Sequence, residues 1–304
     1  MMKKLLIIKG PTASGKTAAA ISLAKHFGCE IINSDSRQFY KGLDIATAKP
    51  DTGEMKEVRH HFIDHLEPDQ NYNARQFEKD VLLLLEKLFV KYDVAIMTGG
   101  SGLYVNAVCY GMDELPGSDE KIRAELNSIY AEYGIVKLQE MLRDLDPDFY
   151  HEVDTSNPQR LIRAIEVCQI SGLPYSTFRT RKISKRNFEI IQIILEIERE
   201  ELYRRIDERV DMMVKNGLLE ETLKLQKFRE FNSMKTVGYN EIFRFIDKEI
   251  SLDEAISLIK QHSRNYAKRQ MTWLRRDKDS KWIRYDDHQE MIRYAEYQIK
   301  NART

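Results

Sequence analysis

Cysteine is scarce in this chain of 304 residues: Cys29, Cys109 and Cys168 are the only three. Odd in number and far apart, they exclude a disulfide framework and a zinc-binding pattern. Net charge is missing as well. The 48 Lys and Arg balance 48 Asp and Glu, so no global field recruits a polyanion and any such partner must be met by local clusters. Long apolar runs are absent. The most tempting stretch, Val81 to Leu85, falls far short of the ~20 residues of a membrane span. Strand-like sequence starts almost at residue 1, which leaves no room for a signal peptide. There is no internal repeat and no low-complexity tail. The expectation is a soluble cytoplasmic protein without a membrane partner, one large domain plus a smaller one, and a monomer.

What the chain does carry is a phosphate-binding signature. Gly10, Pro11, Thr12, Ala13, Ser14, Gly15, Lys16 and Thr17 read GPTASGKT, directly after the apolar run Leu5 to Ile8. The Gly-x4-Gly-Lys-Thr spacing lets backbone N–H groups turn inward around a diphosphate, and the following helix adds the positive end of its dipole. Lys16 is expected to reach the terminal phosphates and the Thr17 hydroxyl to hold Mg2+. By signature alone the loop also predicts nucleotide binding, ATP included. It names a ligand group and leaves the reaction open.

The pattern around it alternates. Lys4 to Lys9 reads as a strand, Lys16 to Phe27 as a helix closed by Gly28, and Cys29 to Asn33 as a second strand ending in Ser34-Asp35-Ser36. Ala74 to Lys91 is a long helix, and Val94 to Met97 a strand that runs into Thr98-Gly99-Gly100-Ser101-Gly102. Such alternation predicts an α/β fold, a parallel sheet flanked by helices with its ligand at the carboxyl ends of the strands. The loop, Asp35 and the Thr98–Gly102 turn are therefore expected in one cleft. From Leu115 the pattern becomes helical (Asp119 to Tyr133, Ile135 to Leu145, Pro158 to Ser171), and strand character returns only at Phe188 to Leu195. The segment 115–187 reads as a helical insertion in a core made of 1–114 and 188–304. Helices are expected again over Glu198 to Lys215, Leu218 to Phe228 and Leu252 to Arg275, with a last strand near Trp282 to Tyr285.

GTPases need Asn-Lys-x-Asp and Asp-x-x-Gly strings, and neither occurs. Motor ATPases carry an acid at the end of a buried strand, where this chain has Thr98; the equivalent acid here is Asp35, after the second strand. A small kinase stays open, since it too combines this loop with a short α/β core. Two basic segments point toward RNA. Arg179 to Arg186 has five basic residues in eight, and Lys260 to Arg276 has six without an acid, with Tyr266 and Trp273 among them. Cations interleaved with aromatics neutralise phosphates and stack unpaired bases; a solvated charged face, with Trp273 in the core, is the plainer alternative.

Several strings together resemble one family. Asp35 to Pro50 reads DSRQFYKGLDIATAKP, Gly99 to Tyr104 GGSGLY, Asn157 to Val167 NPQRLIRAIEV, Val237 to Glu241 VGYNE and Ala267 to Arg275 AKRQMTWLR. With the phosphate loop, these resemble the tRNA dimethylallyltransferases, in the family's order and across nearly the whole chain. The absence of a zinc-finger extension suits the compact bacterial type.

The resemblance implies transfer of a dimethylallyl group from dimethylallyl diphosphate to N6 of adenosine 37, beside the anticodon of tRNA. Thr12 to Thr17 would cradle the departing diphosphate, with Lys16 and Mg2+ offsetting its charge. Asp35 matches the catalytic aspartate that accepts the N6 proton. Ser101 stands where the family usually has threonine and keeps the hydroxyl; Arg209 matches an arginine that holds the diphosphate. Asp35, Ser36, Arg37 and Gln38 match one tRNA-contact segment, Gln159, Arg160, Leu161, Ile162 and Arg163 a second, with Ser101 and Arg123 as further contacts. The insertion would grip the anticodon stem while the core holds a flipped base. Ala46 departs from the family's usual glycine. A prenyltransferase acting on free adenine nucleotides shares this core but has no need of the insertion or the Gln159–Arg163 helix.

Overall fold

The computed structural model describes residues 2–180 and 182–301. The chain forms two compact units, Met1–Tyr110 with Lys185–Thr304, and Gly111–Ser184.

The first unit is built on a six-stranded sheet. Its strands are β1 (Lys3–Lys9), β2 (Ile31–Asn33), β3 (His60–His61), β4 (Val94–Thr98), β5 (Phe188–Glu196) and β6 (Lys281–Arg284), in the order β3-β2-β4-β1-β5-β6. Every neighbouring pair is parallel. Leu5 and Ile7 point to one face and Leu6 and Ile8 to the other, and all four are buried. That two-sided burial is why β1 reads as a continuous apolar run. Each such side chain contributes about 1.5–3 kcal/mol.

The helices of this unit are α1 (Lys16–Phe27), α2 (Thr52–Glu57), α3 (Ala74–Lys91) and α4 (Gly102–Tyr110), followed after the second unit by five more among the described residues. Phe77, Val81, Leu85 and Leu88 give α3 a buried stripe, and an Asn73–Gln76 capping box starts it. Gly28 closes α1 in the left-handed conformation, as its sequence predicts. Four further helices span Arg199–Lys215 (α8), Leu218–Lys224 (α9), Tyr239–Ile246 (α10) and Leu252–Leu274 (α11), and α12 spans His288–Asn301. The segment expected to be helical from Leu218 to Phe228 is split: α9 ends at Lys224 and a 3-10 turn covers Gln226–Phe228. In this unit the helices α2, α4, α10 and α12 and the strand β3 go beyond the sequence expectation, as does the short helix Pro147–Glu152 of the second unit. α4 is hidden because it follows the glycine-rich turn and carries no charge to mark a polar face.

The second unit packs α5 (Glu120–Leu145), α6 (Pro147–Glu152) and α7 (Pro158–Ser171) around Leu126, Leu138, Leu142, Phe149, Leu161 and Ile165. α5 breaks at Gly134, where φ is 73° and ψ −172°, so the two helices read on either side of that glycine are two helical stretches. Asp119, Asp146 and Asn157 cap the three starts with their side chains. Among the described residues no helix is long and apolar enough to cross a membrane.

Candidate functional site

The turn after β1 presents unpaired backbone donors. The cap of α1 is Gly15 at φ 88°, with no side-chain bond to the first helical N–H groups, which leaves those donors facing the loop. Ala13 also sits in the left-handed region, at φ 63°. That strain is held by the Arg205 Nε–H, which donates to the Ala13 carbonyl at 2.9 Å while its guanidinium lies over the Tyr285 ring. The Ser14 hydroxyl is buried without a hydrogen-bond partner among the described residues. Lys16 Nζ donates to the Pro11 carbonyl at 2.7 Å. Burial lowers the Lys16 pKa to about 8; Asp35 opposes the fall and Arg209 adds to it.

The ends of β2 and β4 supply the other side. Asp35 Oδ1 accepts the Arg37 backbone N–H at 3.0 Å, and the Asp35 N–H donates to Asn33 Oδ1 at 3.1 Å. The Ser101 hydroxyl accepts the Ser36 N–H at 3.0 Å and donates to the Ser36 hydroxyl at 3.0 Å. Thus Ser101 fixes the loop that carries Asp35. The Gln38 side-chain amide donates to the Thr47 and Ala48 carbonyls at 3.0 and 3.1 Å. The same segment is anchored from behind by buried Glu221, whose carboxylate accepts the N–H groups of Asp44, Ile45 and Ala46 and the Tyr239 hydroxyl. The Arg37 guanidinium is turned onto the Asn232 and Lys235 carbonyls.

Helices α8 and α11 close the cleft. Arg209 is free of the helical neighbours that sequence offers it: Asp207 pairs with Arg264 at 2.5 Å and Glu208 with Arg204 at 2.5 Å. Burial lowers the Arg209 pKa, against the pull of Asp35, so its charge is poorly solvated and available to an anion. Tyr266 stays protonated, its pKa raised to about 12 by burial and then by Asp35. Two cavities, of about 400 and 390 Å³, meet here. The first holds the loop (Ala13, Lys16, Thr17) and the second Ser36, Arg37 and Ser101; Thr12, Asp35, Thr47, Arg209 and Tyr266 line both.

Sequence reading missed Gln270, Thr47, Arg205 and Glu221. The one signal was the basic Lys260–Arg276 stretch, which the structure divides among jobs. Lys260 and Arg264 pair with Asp211 and Asp207, Tyr266 and Gln270 face the cleft, and the Trp273 ring packs on Gly102 with Lys9 5.6 Å from its centroid. Among the described residues of the other basic run, two cations are taken up by ion pairs, while Lys182 and Lys185 are exposed. Arg179 pairs with Glu152 at 2.8 Å; Arg186 pairs with Glu78 at 2.6 Å and bonds the Val108 and Ala107 carbonyls. Arg181 lies outside the described residues.

In the second unit, Arg123 and Arg163 converge on Glu166, at 2.8 and 2.7 Å. Leu161 and Ile162 are buried in that unit's core, so their side chains are not available to RNA. Gln159 and Arg160 are exposed beside them. Among the described residues no group of three or more His, Cys, Asp or Glu side chains is arranged to hold a metal. The loop-side cavity offers the Thr17 hydroxyl and the carboxylates of Asp35, Asp51 and Glu54, hard oxygen donors of the kind Mg2+ takes together with waters and substrate phosphates.

The family model described as IPP transferase matches residues 38–277. A tRNA dimethylallyltransferase of Christiangramia forsetii is 48% identical over 281 residues, covering 92% of this chain and 93% of the relative. One of Flavobacterium johnsoniae is 45% identical over 286 residues, with 92% and 93% covered. The crystal structure of a full-length tRNA isopentenylpyrophosphate transferase from Bacillus halodurans matches with a TM-score of 0.70 at 33% identity, covering 100% of both chains. A eukaryotic dimethylallyltransferase acting on tRNA matches with a TM-score of 0.79 at 26% identity, over 98% of this chain and 77% of that one.

Proposed function

The chain belongs to the IPP transferase family, and we propose from that membership that it transfers a dimethylallyl group from dimethylallyl diphosphate to N6 of adenosine 37 in tRNA. The observation that carries the reading is the shared lining: Asp35 and Arg209 border both the phosphate-loop cavity and the cavity beside Ser36 and Ser101. A donor and an acceptor entering from the two sides meet at that carboxylate.

The diphosphate sits on the loop N–H groups and the start of α1, with Lys16 and Arg209 as its cations. Where Mg2+ binds, the Thr17 hydroxyl would help to hold it, and it would supply charge stabilisation for the leaving group. The N6 lone pair attacks C1 of the donor, the C1–O bond breaks, and its electron pair departs with the diphosphate. The N6 proton passes to the Asp35 carboxylate, which the Arg37 N–H holds in place while Asn33 fixes the Asp35 backbone N–H. Ser101 positions the acceptor segment through Ser36. Arg37, with Gln159 and Arg160 of the second unit, is proposed as a tRNA contact; Gln38, expected as one, is buried with its amide on the Thr47 and Ala48 carbonyls and braces that segment instead, and Arg123 and Arg163 support the second unit's contacts through Glu166. A tRNA acceptor in turn implies a cytoplasmic enzyme.

The test is transfer of labelled dimethylallyl to unmodified tRNA, with AMP and ATP as competing acceptors and Asp35→Ala as control. Label on tRNA that disappears in the variant supports the reading. Label on AMP alone moves the enzyme to the nucleotide-prenylating class, and ATP consumption without label sinks it.

A further inference from the structure

One side chain ties the two halves of the cleft together. Gln270, on α11, accepts the Thr12 N–H on its Oε1 at 2.8 Å and donates its Nε2–H to the Gly100 carbonyl at 3.1 Å. Thr12 belongs to the phosphate loop and Gly100 to the turn after β4, so a single amide spans from the donor side to the acceptor side. The same spot is crowded by Asp35: a Cβ at Gly100 would lie 3.1 Å from Gln270 Nε2 and 3.2 Å from Asp35 Oδ2. Four residues earlier on the helix, the Tyr266 hydroxyl would be 3.7 Å from that Cβ. The helix itself is held down at its end by Trp273 on Gly102.

We propose that Gln270 is a positioning residue for prenyl transfer, setting the separation between the phosphate loop and the Asp35 carboxylate by bonding Thr12 and Gly100 at once. The proposal rests on the prenyl-transfer reading. Its amide touches loop and turn backbone, so it acts through them. Both of its bonds are made to groups whose positions are already shaped by the strands they follow. Losing the amide therefore leaves each substrate's own binding groups in place. What is lost is alignment of C1 with N6, and displacements of about 1 Å at a reacting centre cost on the order of a hundredfold in rate. Glutamate at this position keeps the acceptor for the Thr12 N–H but cannot donate to the Gly100 carbonyl, so it separates the two halves of the tie.

The experiment compares wild type, Gln270→Ala and Gln270→Glu in single-turnover transfer to unmodified tRNA, with equilibrium Kd values for dimethylallyl diphosphate and for tRNA. Expected for Gln270→Ala is a transfer rate lower by about ten- to a hundredfold with both Kd values within about threefold of wild type, and for Gln270→Glu a rate in between. An unchanged rate in Gln270→Ala overturns the proposal. So does a rate loss matched by an equal loss of diphosphate affinity, which would make Gln270 a support of the loop alone. Where the alanine variant fails to fold, the near-isosteric and uncharged Gln270→Met, which loses both bonds, decides on the same criteria. Wild type that transfers nothing to tRNA overturns the reading of the enzyme itself, whereas wild-type transfer undiminished in the variant overturns only the positioning role.

Discussion

Asp35 supports the charge of Lys16 across the cleft, its carboxylate opposing the burial that brings the lysine pKa down to about 8. Below that value the lysine is cationic and suited to a diphosphate; above it the free enzyme loses the charge. The expected result is a kcat/KM for dimethylallyl diphosphate that falls as pH rises through about 8. Bound diphosphate pulls the lysine back to its charged form, so kcat should fall only at higher pH. Paired pH profiles of the two parameters check this, and coincident profiles would contradict it.

Replacing Asp35 by asparagine keeps the shape and the acceptor for the Arg37 N–H but removes the base. A general base contributes about 10²–10⁴-fold, so kcat should fall in that range while the tRNA Kd changes little. Rapid-quench transfer with a separate binding titration makes the comparison.

Gly99 faces the Ser34–Asp35 backbone so closely that any Cβ would collide with the Ser34 carbonyl carbon and the Asp35 nitrogen. Backbone cannot swing aside as a side chain can. Gly99→Ala should therefore displace Asp35, lowering kcat and costing on the order of 1–3 kcal/mol of stability. Calorimetry and turnover together test it; an active, fully stable variant would show that the strand ends can slide.

Glu166 is enclosed in the second unit. Burial pushes its pKa up, but hydrogen bonds from Arg123, Arg163 and the Asp119 N–H outweigh that and hold it below the ordinary glutamate value. A depressed folded pKa means stability present above the unfolded value and lost as pH falls through the folded one. The contribution should therefore fade below about pH 4.3, the unperturbed glutamate value. Glu166→Gln should cost about 1–2 kcal/mol at neutral pH, discounted because both arginines are partly exposed, and should flatten the acid limb of a Tm-against-pH curve.

Period and punctuation made much of this legible. The apolar runs of β1 and β4, the loop spelling and the Gly28 close of α1 are local signals, and local rules decide them. The Gly-x4-Gly-Lys-Thr spacing located the loop because its backbone shape is set by its own residues. Gln270 and Glu221 were not legible, since each acts on backbone groups far away in the chain and no spacing encodes such a partner. Charge misled in the opposite direction. Arg179, Arg186 and Arg123 look like free cations in a string of letters, yet each meets a carboxylate far from it in the chain; only the Arg163–Glu166 pair, three residues apart on one helix, was open to sequence reading. Leu161 and Ile162 sit between plausible RNA contacts in sequence, but helical period turns them inward while Gln159 and Arg160 stay outside.

The position of β1 in the sheet governs when the protein can come into being. One edge of that strand is covered by β4, within the first hundred residues, and the other by β5, whose register runs from Lys3 opposite Phe188 to Lys9 opposite Ile194. As synthesis proceeds, the first strand must wait with one row of its peptide groups bare while the whole Gly111–Ser184 unit is translated. That unit has its own core and can close first. The ribosome thus delivers a helical module attached to an unfinished sheet, and the buried central strand is enclosed only when β5 pairs beside it.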